Sequence, residues 1–164
     1  MGELANFPLI VPKLLAVTVT NWNQLNTLNT TVTEITIPSN NLNDASLTVL
    51  DLSRFRRLKK LVIGDECFMY VNETRLTGLY SLESVEIGMN SFTQHRNSDG
   101  DDPNRHFYLK NCPKLKSLKM GRFSFSDYTV IEIENVDALE SIEMGDRVFV
   151  YASLELKSIL IHSE

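Results

Sequence analysis

The most regular feature of the chain is a seven-residue pattern of apolar and polar positions that occurs four times. Each copy reads Leu-x-x-(Leu, Val or Ile)-x-(Ile or Met)-Gly, and a phenylalanine follows four residues after the glycine. The opening leucines lie at positions 58, 82, 115 and 139, which gives spacings of 24, 33 and 24 residues. A regular period of this length indicates a chain built from stacked repeats. The copies are Leu58–Gly64, Leu82–Gly88, Leu115–Gly121 and Leu139–Gly145.

Alternation within each copy predicts short strands on two walls. The apolar positions of a triplet such as Leu61-Val62-Ile63 alternate with the period of two that a half-buried strand requires. The stretch before each opening leucine also alternates, as in Ile131-Glu132-Ile133, and we expect a second, shorter strand there. Apolar residues at a step of three join the two stretches. This joining stretch is too short for an α-helix of typical length, and its step of three favours a 3₁₀-like or extended arc.

Weaker copies flank the four clear ones and extend the pattern along the chain. Copies start near residues 14, 32, 58, 82, 115, 139 and 156, which makes about seven in one domain that covers residues 1–164. The long middle spacing is explained by an insertion, and the very polar segment 93–106 is predicted to form it as a loop. The predicted fold is a mainly β repeat solenoid with little α-helix. A parallel main sheet forms one wall, and short strands or 3₁₀ turns form the other.

The glycine and the phenylalanine of each copy predict how the turns pack. We expect the glycine to adopt a turn conformation that is barred to residues with a Cβ, and the phenylalanine to fold back beneath it. Stacking of the copies then predicts one aromatic row, which we interpret as core filling rather than as a ligand cage. Its members are Phe68, Phe92, Phe125 and Phe149.

The pattern resembles the leucine-rich repeat. Residues 82–92 fit Leu-x-x-Leu-x-Leu-x-x-Asn-x-Leu with Phe92 in the last place, whereas other copies put Glu66, Phe123 and Arg147 in the asparagine place. The run Leu109–Met120 is similar to the BspA-like branch, whose repeats occur in surface proteins of anaerobic bacteria and unicellular eukaryotes. The resemblance implies a curved solenoid that recognises macromolecules. It brings no catalytic residues with it.

Composition and charge narrow the classes of partner. The chain is 43% hydrophobic and 23% charged, as in ordinary globular proteins, and its net charge of -5 provides no global basic field for nucleic acid or an anionic membrane. Apolar runs of a few residues are far shorter than the roughly 20 that a membrane span needs. The first residues lack the pattern of a secretory signal, so cytoplasm and cell surface both stay open. Two cysteines allow one disulfide at most, and we expect none.

Candidate catalytic or metal-binding motifs are not found in the sequence. Nucleophile-elbow, P-loop, His-Glu-x-x-His and Cys-x-x-Cys patterns are missing, and the three histidines have no spacing typical of metal ligands. The acidic segment 97–102 is out of register with a calcium-binding EF-hand loop, and no glutamate closes it. We therefore expect no enzymatic activity, no metal and no cofactor.

The outward positions of the main sheet are the candidate binding surface. In-register parallel stacking places equivalent residues about 4.8 Å apart, so two rows should run across the sheet. The first, the charge row, alternates in sign, which suits either a self-neutralising ladder or a partner site. The second, the serine row, leaves a track of small side chains that either permits curvature or admits a partner's side chains. The charge row is Thr18, Thr36, Val62, Glu86, Lys119, Glu143 and Leu160; the serine row is Ala16, Glu34, Lys60, Ser84, Ser117, Ser141 and Ser158.

Two functions follow from this surface as hypotheses. The first is a non-catalytic recognition module of the leucine-rich-repeat type that contacts another protein or surface macromolecule. The alternative is a structural or adhesive part of a longer cell-surface repeat protein, which further copies in the parent reading frame would favour. The predicted contact residues are Lys60, Val62, Glu86, Lys119, Glu143 and Arg122.

Overall fold

The computed structural model describes residues 14–94, 102–150 and 152–157. Within these ranges the chain is mainly β with almost no helix, and no helix is long and apolar enough to cross a bilayer. The helix in these ranges is α1 (Trp22–Thr27), which Asn21 caps by accepting the backbone N–H of Gln24 at 2.8 Å. The strands are β1 (Ala16–Thr18), β2 (Glu34–Ile37), β3 (Val49–Asp51), β4 (Lys60–Ile63), β5 (Glu73–Thr77), β6 (Ser84–Ile87), β7 (Asp102–Lys110), β8 (Ser117–Met120), β9 (Tyr128–Glu134), β10 (Ser141–Met144) and β11 (Ser153–Lys157).

The strands form two parallel sheets, and from β2 onward the chain alternates between them. The main sheet has six strands in the order β1, β2, β4, β6, β8, β10. The second sheet has five strands in the order β3, β5, β7, β9, β11. Because successive strands lie in opposite sheets, the apolar residues of both sheets share a single core.

The predicted strands of both walls are confirmed. Strands β4, β6, β8 and β10 contain the alternating triplets of the four clear copies, and strands β3, β5, β7, β9 and β11 contain the second set. The second wall therefore consists of strands rather than 3₁₀ turns in the ranges described. The apolar residues at a step of three begin in or just after a strand of the second wall, as at Leu76 in β5, and continue through the turn, as at Leu79 and Leu82, with their side chains in the core.

Alternation separates the two faces of the main-sheet strands β2, β4, β6 and β8, whereas all four residues of strand β10 are exposed. The inward side chains of Leu61 in β4 and Leu118 in β8 are at most 1% exposed, whereas their neighbours Lys60 and Lys119 are exposed. Burial of one such leucine contributes about 2 kcal/mol, and every turn of the chain supplies its own share. The outward positions are thereby free of any packing role in the core.

The predicted aromatic row is confirmed. The rings of Phe68 and Phe92 stack with their centroids 4.9 Å apart, and those of Phe92 and Phe125 with theirs 4.5 Å apart. Phe149 continues the row at 5.2 Å from Phe125. The first three rings are fully buried, which fits core filling.

The conformation predicted for the recurring glycines is wrong. None of the four has a positive φ. They are required instead because adjacent turns approach closely: a Cβ on Gly121 would lie 2.5 Å from the backbone nitrogen of Met89, and one on Gly145 would lie 2.5 Å from the backbone nitrogen of Arg122. Only a hydrogen atom fits in that space. The glycines therefore set the distance between turns.

Left-handed backbone occurs two and four residues after each of these glycines, as at Asn90 with φ 55° and Phe92 with φ 58°. This conformation costs roughly 1 kcal/mol for a residue with a Cβ. Hydrogen bonds between turns offset the cost, since the backbone N–H of Asn90 donates to the carbonyl of Arg122 at 2.9 Å. Backbone groups thus join the turns at the asparagine place of the pattern. The same place is left-handed at Asn40, Glu66, Phe123 and Arg147.

The predicted insertion loop 93–106 ends earlier than expected. Strand β7 begins at Asp102, so residues 102–106 belong to a strand. Their polar character suggested a loop, but the inward Arg105 is tolerated because the carboxylate of Asp127 lies 3.5 Å from it. Residues 95–101 of the predicted loop lie outside the described residues, as do Ser158 and Leu160 of the two rows.

Candidate functional site

The outer face of the main sheet carries the two predicted rows in register. Strand pairing places Val62 opposite Glu86, Glu86 opposite Lys119, and Lys119 opposite Glu143. Residues of the serine row follow one another in the same way. The order of that row in the described strands is Ala16, Glu34, Lys60, Ser84, Ser117 and Ser141.

A groove of about 130 Å³ lies between these rows. It forms because the serine side chains are short while the charged side chains beside them are long. Its volume is well below the roughly 300–1,000 Å³ that is typical of small-molecule sites. The groove therefore suits one or a few side chains of a larger partner. Its lining residues are Lys60, Ser84, Val85, Glu86, Ser117, Leu118, Lys119, Ser141 and Glu143.

The charges of the groove neutralise one another only in part. The ammonium of Lys119 lies 3.7 Å from the carboxylate of Glu143, and both side chains are more than half exposed. Within the described ranges, Glu86 and Lys60 form no ion pair. The alternating ladder is therefore incomplete, because Lys119 lies close to only one of its two acidic neighbours. Among the described residues, the Glu86 carboxylate and the Lys60 ammonium of the groove therefore stay unpaired.

The structure brings four of the six predicted contact residues to the groove and sets two apart. Val62 lies in the charge row next to Glu86 but does not line the groove. Arg122 lies in the turn after β8, where its guanidinium is 3.5 Å from the carboxylate of Asp146 and 4.7 Å from the ring centre of Phe123. Arg122 therefore contacts the turn region rather than the groove. The four that line it are Lys60, Glu86, Lys119 and Glu143.

Three serines line the groove although the predicted contact set omits them. Ser84, Ser117 and Ser141 stand on neighbouring strands, and each follows the opening leucine of its copy by two residues. The signal for them was in the sequence, since the same small residue recurs at one place in three copies. The sequence did not show that the long side chains beside the serines would create a groove.

The outer face of the second sheet holds its charged side chains in ion pairs. Arg75 lies 2.6 Å from Glu73 and 3.6 Å from Asp51. Lys110 pairs with Glu132 and, at 3.8 Å, with Glu134. These carboxylates come from the strands on either side of the cation or from its own strand. Both cations are thus paired within the face, which has four carboxylates for these two cations.

Tyr108 and His106 lie in the middle of this second face. The Nδ1 atom of His106 is 2.9 Å from the Tyr108 hydroxyl, and the ammonium of Lys110 lies 5.3 Å from the centre of the Tyr108 ring. Partial burial raises the pKa of the Tyr108 phenol, and the nearby Glu132 carboxylate raises it further. The pair is engaged within the face, and we assign it no separate chemistry.

A buried polar cluster lies beneath the start of β7. Asp127 accepts the backbone N–H of Gln94 at 3.0 Å and lies 3.5 Å from Arg105. The Tyr128 hydroxyl donates to the carbonyl of Val71 at 2.7 Å. Burial raises the pKa of the Tyr128 phenol well above its usual range, so this group stays a neutral hydrogen-bond donor. The cluster anchors the chain on both sides of residues 95–101 to the second sheet.

The cysteines and acidic residues offer little to a metal or a nucleophilic reaction. In the ranges described, no group of three or more His, Cys, Asp or Glu side chains could hold a metal ion. Cys67 and Cys112 are free thiols in the core. Burial raises the pKa of Cys112 to about 11 and also raises that of Cys67, which disfavours the reactive thiolate.

Comparisons of the chain with protein-family models, with curated proteins and with solved structures found no match.

Proposed function

We propose that the chain is a repeat solenoid of the leucine-rich-repeat type that acts as a non-catalytic protein-recognition module. A partner would contact the outer face of the main sheet at the groove between the charge row and the serine row. The observation that carries this proposal is the groove itself, whose Lys60 and Glu86 have no ion-pair partner in the part of the chain described.

Equivalence between turns supports the solenoid. Each clear copy adds one strand to the main sheet, and the stretch before it adds one to the second sheet. The stacked phenylalanines and the hydrogen bonds between left-handed residues occur at the same place in successive turns. A chain in which each turn contacts mainly its neighbours is typical of repeat architectures.

The chemistry of the groove favours a protein partner. A small volume, serine hydroxyls and charges of both signs suit a surface that offers several different side chains. The rows carry no tryptophan or tyrosine in the described strands, and these residues dominate tight interfaces. We therefore expect a polar contact of moderate affinity that weakens at high salt.

The experiment compares what wild-type protein and groove variants capture from an extract of the cells that produce it, with cross-linking and quantitative mass spectrometry. Ser117→Trp fills the groove without changing charge, and a combined Glu86→Lys, Lys119→Glu, Glu143→Lys variant reverses its charges. We expect both to lose the proteins that the wild type enriches.

The matched control is Thr36→Trp, which adds the same bulk to an exposed position on the same face outside the groove. This variant should capture the same proteins as the wild type. Equal capture by wild type and both groove variants, with all proteins folded, would show that the groove is not the recognition site.

A further inference from the structure

The turn between β3 and β4 carries the densest run of positive charge in the chain. Five of the seven residues from Arg54 to Lys60 are arginine or lysine, and none is acidic. The two apolar members of the run, Phe55 and Leu58, are fully buried, so the run follows the step of three that joins the two sheets. All five cationic residues are consequently exposed.

One of the five is used within the protein. The guanidinium of Arg54 donates to the carbonyl of Leu25 at 2.5 Å and lies 4.5 Å from the ring centre of Phe55. It ties the turn to helix α1. The remaining four form what we call the cationic arc: Arg56, Arg57, Lys59 and Lys60.

The members of the cationic arc lack an ion pair in the ranges described, as do Lys114, Lys116 and Arg147, but only the arc places four such cations within five residues. Arg75, Arg105, Lys110, Lys119 and Arg122 each lie close to a carboxylate. In the ranges described, no member of the cationic arc does so.

Two carboxylates lie near the arc without neutralising it. Glu34 is the register partner of Lys60, and the backbone N–H of Glu83 donates to the carbonyl of Lys59 at 2.8 Å. Neither side chain forms an ion pair with the arc in the described structure. Arg56 instead lies 5.7 Å from the ring centre of Tyr80, a side chain that is 50% exposed. The guanidinium and this ring together extend the arc toward the next turn.

Four like charges on one short segment repel one another and so oppose folding. A chain with a net charge of -5 has an excess of acidic residues, yet the structure leaves this cluster uncompensated. We propose that the cationic arc is the docking site for an acidic polypeptide segment of the partner protein. Carboxylates of that segment would pair with Arg56 and Arg57, whose planar guanidinium groups bind carboxylates through two parallel hydrogen bonds.

The surroundings of the arc favour a polypeptide over a uniform polyanion. Lys60 belongs both to the arc and to the groove, so a ligand that follows the arc onto the main sheet reaches Glu86. A nucleic acid or sulfated polysaccharide would bring its next negative charges against Glu83 and Glu86. A polypeptide can place acidic residues over the arc and neutral or basic residues beyond it. This inference rests on the proposed function for its premise that the partner is a protein.

The test measures binding of a fluorescein-labelled peptide of about ten residues, with alternating serine and glutamate, by fluorescence anisotropy at moderate salt. A variant that combines Arg56→Ala, Arg57→Ala and Lys59→Ala should bind at least about tenfold more weakly, because it loses three charge pairs. The matched control combines Lys114→Ala, Lys116→Ala and Arg147→Ala, which removes the same number of exposed cations elsewhere. The control should stay within about twofold of the wild type.

Three results would overturn the inference. They are no binding of the peptide to the wild type, an equal loss in the control variant, and tighter binding of a heparin fragment or a single-stranded RNA of similar length than of the peptide. The last result would indicate a polyanion site rather than a polypeptide site.

Failure of this inference and failure of the proposed function can be told apart. If the wild type does not bind the peptide but Ser117→Trp still loses the captured proteins, only the acidic segment is ruled out. If the peptide binds through the arc but Ser117→Trp captures as the wild type does, the groove is ruled out and the arc stands.

Discussion

The outer faces of the two sheets are built from similar short parallel strands but differ in how their charged side chains are paired. On the second sheet, Arg75 and Lys110 each pair with two carboxylates, and Tyr108 and His106 contact each other between them. On the main sheet, three neighbouring places of one row are serines, and the charge row holds one exposed ion pair, between Lys119 and Glu143, in the described strands.

The difference indicates that charged side chains contribute more to stability on the second sheet than on the main sheet. The Lys110–Glu132 pair on the second sheet is about a quarter exposed, so its charges attract one another more strongly than in bulk water and add to stability. The pair of Arg75 and Asp51 is more exposed, at 44% and 39%. Charges on the main sheet and on the cationic arc are well solvated and contribute little to folding. Charged side chains that add little to stability can be substituted at little cost to folding, and they are therefore available for binding.

The largest expected effect is the difference between replacing a glycine that follows a main-sheet strand and one that follows a second-sheet strand. Gly121→Ala should lower the free energy of unfolding by about 3 kcal/mol, because its Cβ would meet the backbone of the preceding turn. Gly78→Asn should cost well under about 1 kcal/mol, because Gly78 needs only its positive φ and asparagine already occupies that place in the next two turns, at Asn111 and Asn135. Urea unfolding of both variants measures the contrast. Equal losses would show that close approach is not what requires Gly121.

Alkaline pH probes the core that both faces share. Burial raises the pKa of Cys112 to about 11 from an ordinary value of 9.0. Above pH 9 the Cys112 thiol therefore keeps its proton in the folded state but loses it in the unfolded state. Its contribution to the free energy of unfolding is fully present below pH 9 and is lost as the pH rises toward 11. Between neutral pH and pH 10.5 this thiol should account for on the order of 2 kcal/mol of lost stability. Unfolding of Cys112→Ala at both pH values should show a smaller loss than the wild type, and an identical loss would contradict the prediction.

A matched pair of lysines tests the contrast between the faces directly. Lys110→Gln should lower the free energy of unfolding by about 1 kcal/mol, since it leaves Glu132 and Glu134 without their shared cation. Lys119→Gln should change it by less than about 0.5 kcal/mol, because Lys119 and Glu143 are more than half exposed. For binding of the captured partner we expect the reverse: Lys119→Gln should weaken binding more than Lys110→Gln does. A loss of stability in Lys119→Gln as large as in Lys110→Gln would remove the distinction between the faces.

The smallest expected effect has the opposite sign. Neutralisation of one arc cation, as in Arg57→Gln, should leave the melting temperature unchanged or raise it slightly, because it relieves repulsion within the cluster. Differential scanning fluorimetry at low and high salt measures this. A clear loss of stability that salt does not alter would mean that Arg57 has a structural contact instead.

The periodic features were predictable because each is local and repeated. The alternation in segments such as Leu61–Ile63 predicted the strands, and alignment of the copies predicted which residues pair across the main sheet. The aromatic row followed from the same alignment. Helix α1 was not predicted, since its six residues are too few to show a helical period and its cap depends on a single side chain.

The candidate site was only partly predictable. Opposite signs in the charge row suited either a self-neutralising ladder or a partner site, and in the structure Lys119 pairs with Glu143 and leaves Glu86 unpaired. The sequence could not decide this, because a flexible lysine between two acids can pair with either. The cationic run 54–60 was visible in the sequence, but its lack of counter-charges was not.

The sequence alone determined the number and order of the strands in the clear copies, the face that each side chain occupies and the register between neighbouring turns. These follow from period-two alternation and from the repeat length, which any stacking must respect. The tertiary structure decided how closely the turns approach, and therefore why Gly121 is a glycine. It also decided that a polar residue such as Arg105 can lie inside, and which surface charges are paired. Each of these depends on distances between residues far apart along the chain.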